Sequence, residues 1–258
     1  MLFLFLLSCD GSDVEQLVYN NPIDTARTEF TYKAVATIID DDIGSVEAIE
    51  GIKEMADRQN IKITFAAITD KLNDVNKNYL LLKYQTEGFH IVSHSQSHNQ
   101  NIWRKGYSDF DTIAIRNEME KSLGRLKYEG YTNCDFLVYP YGQFPEDNNV
   151  LNNIMTLASG YYRAAVNSST GKANYPGNTS KYYLNRILIS RNRNIEELKI
   201  TIDKEIASNG WMIFLTHSNN SNEFDVNYME QIVEYILSKN VSFMTLEEAW
   251  RHKGHLYK

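Results

Sequence analysis

The chain has 258 residues and a net charge of −7, with its lysines and arginines scattered among acids, so it lacks the basic stripe that a nucleic-acid backbone requires. A hydrophobic fraction of 43% beside 23% charged residues fits a globular protein and excludes both general disorder and a polytopic membrane protein. One α/β domain of this length can bury a substantial core without splitting.

The first segment, MLFLFLLSC, is apolar up to Ser8 and Cys9 and gives way at once to the polar run DGSDVEQ. It is too short to span a bilayer and reads as the end of a secretory signal, with a buried N-terminal segment as the alternative. The stretch LLSC resembles the lipobox of bacterial lipoproteins. That resemblance implies lipidation at Cys9, a signal segment at 1–8, a tether at 9–28 and a folded domain over 29–258. It also implies an extracytoplasmic lipoprotein, in the periplasm or at the outer membrane or cell surface, that meets membrane only through the lipid on Cys9. Cys134 is then the remaining cysteine, expected to be a buried, inert thiol with no disulfide partner.

From Lys33, KAVATII is an almost unbroken apolar strand ending in Asp40, Asp41 and Asp42, as expected for a strand buried on both faces of a parallel sheet. A helix follows over 45–59, with Val46, Ile49, Ile52 and Met55 at helical spacing. The alternation then continues with a strand over 61–68, a helix near 72–86, the strand HIVSH and a helix near 112–128. Next come the strand DFLVYP, a helix around 149–158, and the strands YYRAAV and LNRILIS. A helix over 195–208, the strand WMIFLTH, a helix over 227–238, the strand VSFMTL and a last helix to about His252 complete the chain. This order predicts an α/β fold, a distorted (β/α) barrel of seven or eight parallel strands, with a doubly wound open sheet as the structural alternative. No glycine-rich phosphate loop follows any strand, so nothing points to a nucleotide.

Several strands end in potential ligands or acid–base groups: DDD, SHSQSH, YPYG and LTHS. In a parallel barrel the C-terminal strand ends form one mouth, so these groups converge. Three adjacent carboxylates repel one another unless a cation or a proton intervenes; alternatively Asp42 or Ser45 caps the following helix and the other acids are solvated. His94 and His98, four apart, suit a zinc-type ion, or else are hydrogen-bonded polar residues. His217 ends a buried strand and is a candidate general acid or base, or a satisfied polar residue at the mouth. His90, His252 and His255 have no such company and are expected at the surface.

Taken together, KAVATIIDD, GFHIVSHSQSH, VYPYG and FLTH resemble, in order, four motifs of the polysaccharide deacetylase family, the NodB-homology domain of carbohydrate esterases. The resemblance covers about residues 30–250. It implies Asp40 as catalytic base, Asp41, His94 and His98 as metal ligands, and the backbone N–H of Tyr141 as oxyanion donor. It further implies Pro140, Tyr141 and Leu215 at the substrate, with Leu215 walling the acetyl pocket, and His217 as general acid. The cofactor implied is a divalent metal, Zn2+ foremost, with Co2+ or Ni2+ as alternatives. The partner implied is an acetylated polysaccharide such as an N-acetylglucosamine-containing glycan. O-deacetylation of a xylan-like glycan and a non-catalytic glycan-binding lipoprotein are the competing functions. A monomer is expected.

Three departures from the family pattern stand out. The glycine usual after the Asp pair is Asp42 here, which leaves open a register with Asp41 as base and Asp42 as ligand. The arginine of the third motif is Val138, and Arg186 in LNRILIS is the expected replacement. The fourth motif's Asp and Trp are missing from NSSTGKANYPGN, which leaves His217 without its usual partner.

Overall fold

The computed structural model describes residues 33–103, 111–142 and 148–258. The signal segment, Cys9 and the tether lie outside them. Seven parallel strands close into a ring in sequence order: β1 (Val35–Asp40), β2 (Thr64–Ala67), β3 (His90–Ser93), β4 (Phe136–Val138), β5 (Ala164–Ser169), β6 (Leu184–Leu188) and β7 (Trp211–Thr216). Closure comes from β1, which pairs with β7 along its whole length and with β2 at Ile39 and Asp40. An eighth strand, β8 (Ser242–Phe243), pairs with Val35 and Ala36 and fills the gap where β1 and β2 splay apart.

The expected barrel is therefore present, with seven strands in the ring. The predicted strand over 241–246 is cut to two residues because Thr245 starts a helix instead. Its hydroxyl and backbone exchange hydrogen bonds with Glu248 in a capping box.

Helices α1 (Val46–Arg58), α2 (Val75–Thr86), α3 (Gln100–Trp103), α4 (Thr112–Glu129), α5 (Asn148–Ser159), α6 (Ile195–Ala207), α7 (Val226–Ser238) and α8 (Leu246–Lys253) join the strands. Ser45, Asp74, Asp111, Asn194 and Asp225 cap α1, α2, α4, α6 and α7, each accepting from backbone N–H groups of the first turn. Among the described residues no helix is long and apolar enough to cross a membrane.

Strand alternation sorts the core into two parts. Val35 and Ile39 of β1 join Ala66, Val92, Phe136, Val138, Val166, Leu184 and Ile213 in the lumen, whereas Ala36 and Ile38 pack outward against the helices. Trp211, Leu246, Ala249 and Tyr257 belong to the same inner cluster and plug the N-terminal end of the barrel. The parity continues past the strand: residue 41 is on the lumen side and residue 40 on the helix side. Cys134 is buried as expected and forms no disulfide among the described residues, and burial raises its thiol pKa.

Candidate active site

The C-terminal mouth holds a cleft of about 480 Å³ lined by Asp41, Asp42, His94, His98, Tyr139, Tyr141, Ser168, Arg186, Leu215, His217, Asn219, Asn220 and Glu223. The strand ends do converge, but with a different division of labour among the three aspartates.

Asp40 is fully buried on the helix side and does not line the cleft. Ser218 donates to it twice, from its backbone N–H (2.8 Å) and its hydroxyl (2.6 Å), and Gly44 N–H donates to the same hydroxyl at 3.2 Å. A side chain at Gly44 would collide with Ser218, whose backbone carbonyl carbon lies 2.9 Å from where a Cβ would sit. Asp40 is thus a brace tying the end of β1 to the turn after β7. Burial pushes its carboxyl up to about 8, against the pull of the two Ser218 bonds, and Asp41 and Asp42 add to the rise.

Asp41 faces the lumen, where both its oxygens accept from Nη1 of Arg186 at 2.8 Å. Arg186 is 1% exposed, not a surface residue, and its Nε donates to the carbonyl of Asn167. It occupies β6 while the Val138 side chain of β4 packs in the lumen, so the buried guanidinium enters from two strands away. His217 Nε2 lies 4.0 Å from Asp41 Oδ2, across the same cleft.

Asp42, not Asp41, joins the two histidines. Its Oδ1 lies 3.3 Å from His94 Nε2 and 3.4 Å from His98 Nε2, and the three ligand atoms fall within 4.8 Å of one another. Asp41 stays farther off, at 3.8 Å from His94 Nε2, and is already held by Arg186. The geometry thus favours the alternative register, with Asp42 beside the two histidines, over the expected one with Asp41 as ligand. The physical reason is the chain reversal at Asp42 and Ile43, whose φ values of 70° and 53° turn the Asp42 carboxylate into the cleft.

Three observations fit a divalent ion at this cluster. Ligands about 2.0–2.1 Å from a tetrahedral ion lie about 3.4 Å from each other, the spacing seen from Asp42 Oδ1 to each histidine. Asp42 Oδ1 is buried without a hydrogen-bond donor, its His94 contact being an ion-pair approach and not an aligned bond. His94 Nδ1 donates to the Val138 carbonyl, 2.8 Å away, so in the neutral ring Nε2 is the nitrogen that carries the lone pair a metal needs.

The electrostatics agree. Burial opposes ionisation of Asp42, but His94, then His98 and His217, hold its carboxyl below the ordinary range. Burial also opposes a charge on His94, yet Asp41 and Asp42 raise its pKa; His98, half-buried beside His94, falls to about 4 through partial desolvation and the neighbouring His94. The cluster could hold a cation.

Neighbouring side chains hold these ligands in place. Asn219 Nδ2 donates to Asp42 Oδ2 at 3.0 Å, and Lys71 Nζ to the Asp42 carbonyl at 2.8 Å. The buried Glu118 of α4 accepts from Ser97 N–H (2.9 Å) and hydroxyl (2.6 Å), pinning the loop between the histidines. Tyr141 lines the cleft with its ring 4.4 Å from that of His98 and its hydroxyl donating to the His98 carbonyl. Leu215 also lines it, whereas Pro140 is buried behind, its carbonyl accepting from Gly142 N–H in a tight turn. His90, expected at the surface, is buried: it donates to the Asn133 carbonyl and meets Phe136 edge-on. Glu118, Asn219 and Glu223 carry no motif in the sequence; only their contacts single them out.

The family model for polysaccharide deacetylases matches residues 28–157, half of the chain. The chain belongs to the polysaccharide deacetylase family. Solved structures of the same fold include a family 4 acetyl xylan esterase from Clostridium thermocellum in complex with a cobalt ion, 18% identical over 85% of this chain and 92% of that one (TM-score 0.58). A second is the Bc1960 peptidoglycan N-acetylglucosamine deacetylase, 16% identical over 88% and 89% (TM-score 0.57). A third, a CE4 family pseudoenzyme from Bacillus anthracis, is 11% identical over 86% of this chain and 67% of that one (TM-score 0.59). No curated protein matches the chain significantly. Asp41, Asp42, His94 and His98 lie inside the matched segment, while Arg186 and His217 lie beyond it.

Proposed function

We propose that this protein is a metal-dependent deacetylase that removes N-acetyl groups from an N-acetylglucosamine-containing glycan outside the cytoplasm. The observation that carries this reading is the pairing of an acid–base couple, Asp41 and His217, with a ligand cluster, Asp42, His94 and His98, in one cleft. A divalent ion held by that cluster, zinc or cobalt in type, would polarise the acetyl carbonyl and acidify a water. Asp41, oriented by Arg186, takes the proton of the attacking water as its oxygen adds to the carbonyl carbon. The backbone of Tyr141 is the assigned donor to the resulting oxyanion, and Leu215 walls the acetyl methyl group. His217 then delivers a proton to the sugar nitrogen as the C–N bond breaks, giving acetate and a free amine.

The same groups would hydrolyse an acetyl ester, so O-deacetylation of a xylan-like glycan remains the second reading. A binding protein without turnover is less well supported, because binding alone gives no use for a base and an acid on opposite sides of the cleft. The N-terminal LLSC supports export and lipidation at Cys9. Acetate release from chito-oligosaccharides, peptidoglycan and acetylated xylan, with and without chelator, tests the proposal. Release that stops with chelator and returns with zinc or cobalt is expected. No release from any of them, with sugar binding retained, would favour the binding protein.

A further inference from the structure

The family's usual partner for the late histidine is missing, and the sequence offers no substitute nearby. No Asp or Glu occurs between Asp147 and Glu196, so neither β5, β6 nor the segment joining them can supply a carboxylate. Among the described residues, the carboxylates paired with His217 are Asp41, 4.0 Å from Nε2, and Glu223, 3.7 Å from Nδ1. The two ring nitrogens therefore face different acids.

We infer that Glu223 is the positioning residue for His217, holding a proton on Nδ1 so that Nε2 is the nitrogen that exchanges a proton with the leaving group. This rests on the proposed role of His217. Three features of the fold support it. Glu223 is in the same turn as His217, closed by Asn220 N–H to the His217 carbonyl (3.0 Å) and Glu223 N–H to the Asn220 carbonyl (3.0 Å). The Glu223 carbonyl accepts from Arg191 N–H at 2.9 Å, so its backbone is fixed from both sides while its carboxylate, 40% exposed, keeps the freedom to close on the ring. Glu223 also lines the cleft, as a residue acting on the reacting histidine must. A carboxylate behind the distal ring nitrogen sets which nitrogen of a histidine carries the proton. The other charged or titratable residues lining the cleft are Asp41, Asp42, Arg186, His94 and His98, and of these Asp41 is the one in ion-pair reach of His217, at Nε2. Glu223 alone among these cleft residues is placed to act on Nδ1.

The test compares wild type with Glu223→Gln and Glu223→Asp on two substrates, an N-acetylated chito-oligosaccharide and 4-nitrophenyl acetate. The nitrophenolate needs no proton to leave; the sugar amine does. Loss of Glu223 is expected to lower the ratio of kcat on the amide to kcat on the aryl ester at least tenfold, a part of the roughly 10²–10⁴-fold that general-acid catalysis contributes, with partial recovery in E223D. An equal loss on both substrates, or no loss on either, would overturn the inference. A second readout needs no turnover: nitrogen-15 NMR of metal-free protein labelled at histidine. Neutral His217 is expected as the Nδ1–H tautomer in wild type and as a mixture in E223Q; the same tautomer in both would also overturn it. Were wild type inert on both substrates, the proposed function would fail, and the tautomer measurement would still decide the role of Glu223.

Discussion

At the N-terminal end of the barrel, Trp211, Leu246, Ala249 and Tyr257 fill the lumen, and the indole N–H of Trp211 is satisfied by Thr37 at 3.0 Å. A few residues up the same strands, the lumen instead holds Arg186 and Asp41, and above them the cluster of Asp42 with two histidines. The backbone shows the same division. Positive φ at the N-terminal end falls on Asn60, Asn133, Asn209 and Asn240, in turns that lead into strands, and asparagine tolerates this region well. At the C-terminal end it falls on Asp42, Ile43, Ser95, His98 and Tyr141. A β-branched residue such as Ile43 is a genuine outlier there, and each such residue costs on the order of 1–3 kcal/mol. One end of the barrel is optimised for packing, and the other holds charge and strain where the cleft needs them.

The largest effects are expected at the strained end. Asp41→Asn should lower turnover by roughly 10²–10⁴-fold, the span for a general base, while keeping its metal. Asp40→Asn should keep both metal and most of the turnover. Acetate release and elemental analysis of the two variants decide the register; metal lost from D41N and retained in an inactive D40N would restore Asp41 as ligand. Next in size is Arg186→Met. Removing one member of a buried ion pair costs about 3–5 kcal/mol, so urea unfolding should show a loss of that order together with lost activity. The double variant D41N/R186M should lose less stability than the two single losses added, because no charge is then left unpaired.

This contrast also explains what the sequence could and could not disclose. The barrel was legible because buried strands alternate with capped amphipathic helices, and the mouth because His94, His98 and His217 sit at strand ends. Arg186 stood out as a lone charge inside the apolar run LNRIL. The assignment of the aspartates was not legible, because β1 is apolar on both faces and its pattern does not mark which face is the lumen. Only Val35 and Ile39 in the inner cluster, with Ala36 and Ile38 outside, show that Asp41 points in and Asp40 out. Glu118 and Glu223 are ordinary acids in the sequence, and they reach the site through a helix face and a turn whose geometry no local pattern encodes.

Buried groups at the two ends answer pH with opposite signs in metal-free protein. Burial lowers His90 to about 4 from 6.5, so its contribution is present above pH 6.5 and lost as pH falls through about 4. Burial raises Asp40 to about 8 from 3.8, so its contribution is present below 3.8 and lost as pH rises through about 8. Between pH 4 and 6.5 these two slopes oppose each other and His98, lowered to about 4 like His90, tips the sum toward a rise; from 6.5 to 8 the Asp40 loss is joined by that of His94, whose pKa is raised. Urea midpoints of wild type should therefore rise and then fall. D40N should steepen the rise and weaken the fall, and His90→Gln should flatten the rise and keep the fall. A wild-type curve rising between pH 6.5 and 8 would contradict the placement of Asp40.

The smallest expected effect tests whether the N-terminal end is as relaxed as its asparagines suggest. Asn240 follows α7 and leads into β8 with φ 58°, and its residue is exposed. Alanine there loses the local polar compensation that lets asparagine adopt the left-handed region, at about 1–2 kcal/mol, whereas glycine adopts it freely. Asn240→Ala should lower stability by about that amount and leave metal content and turnover unchanged, and Asn240→Gly should be close to wild type. A change of turnover in N240A at full folding would mean that strain travels the length of the barrel. In that case the two ends would be mechanically coupled, and the packed end would help to hold the backbone of Asp42 and Ile43 in its unusual conformation.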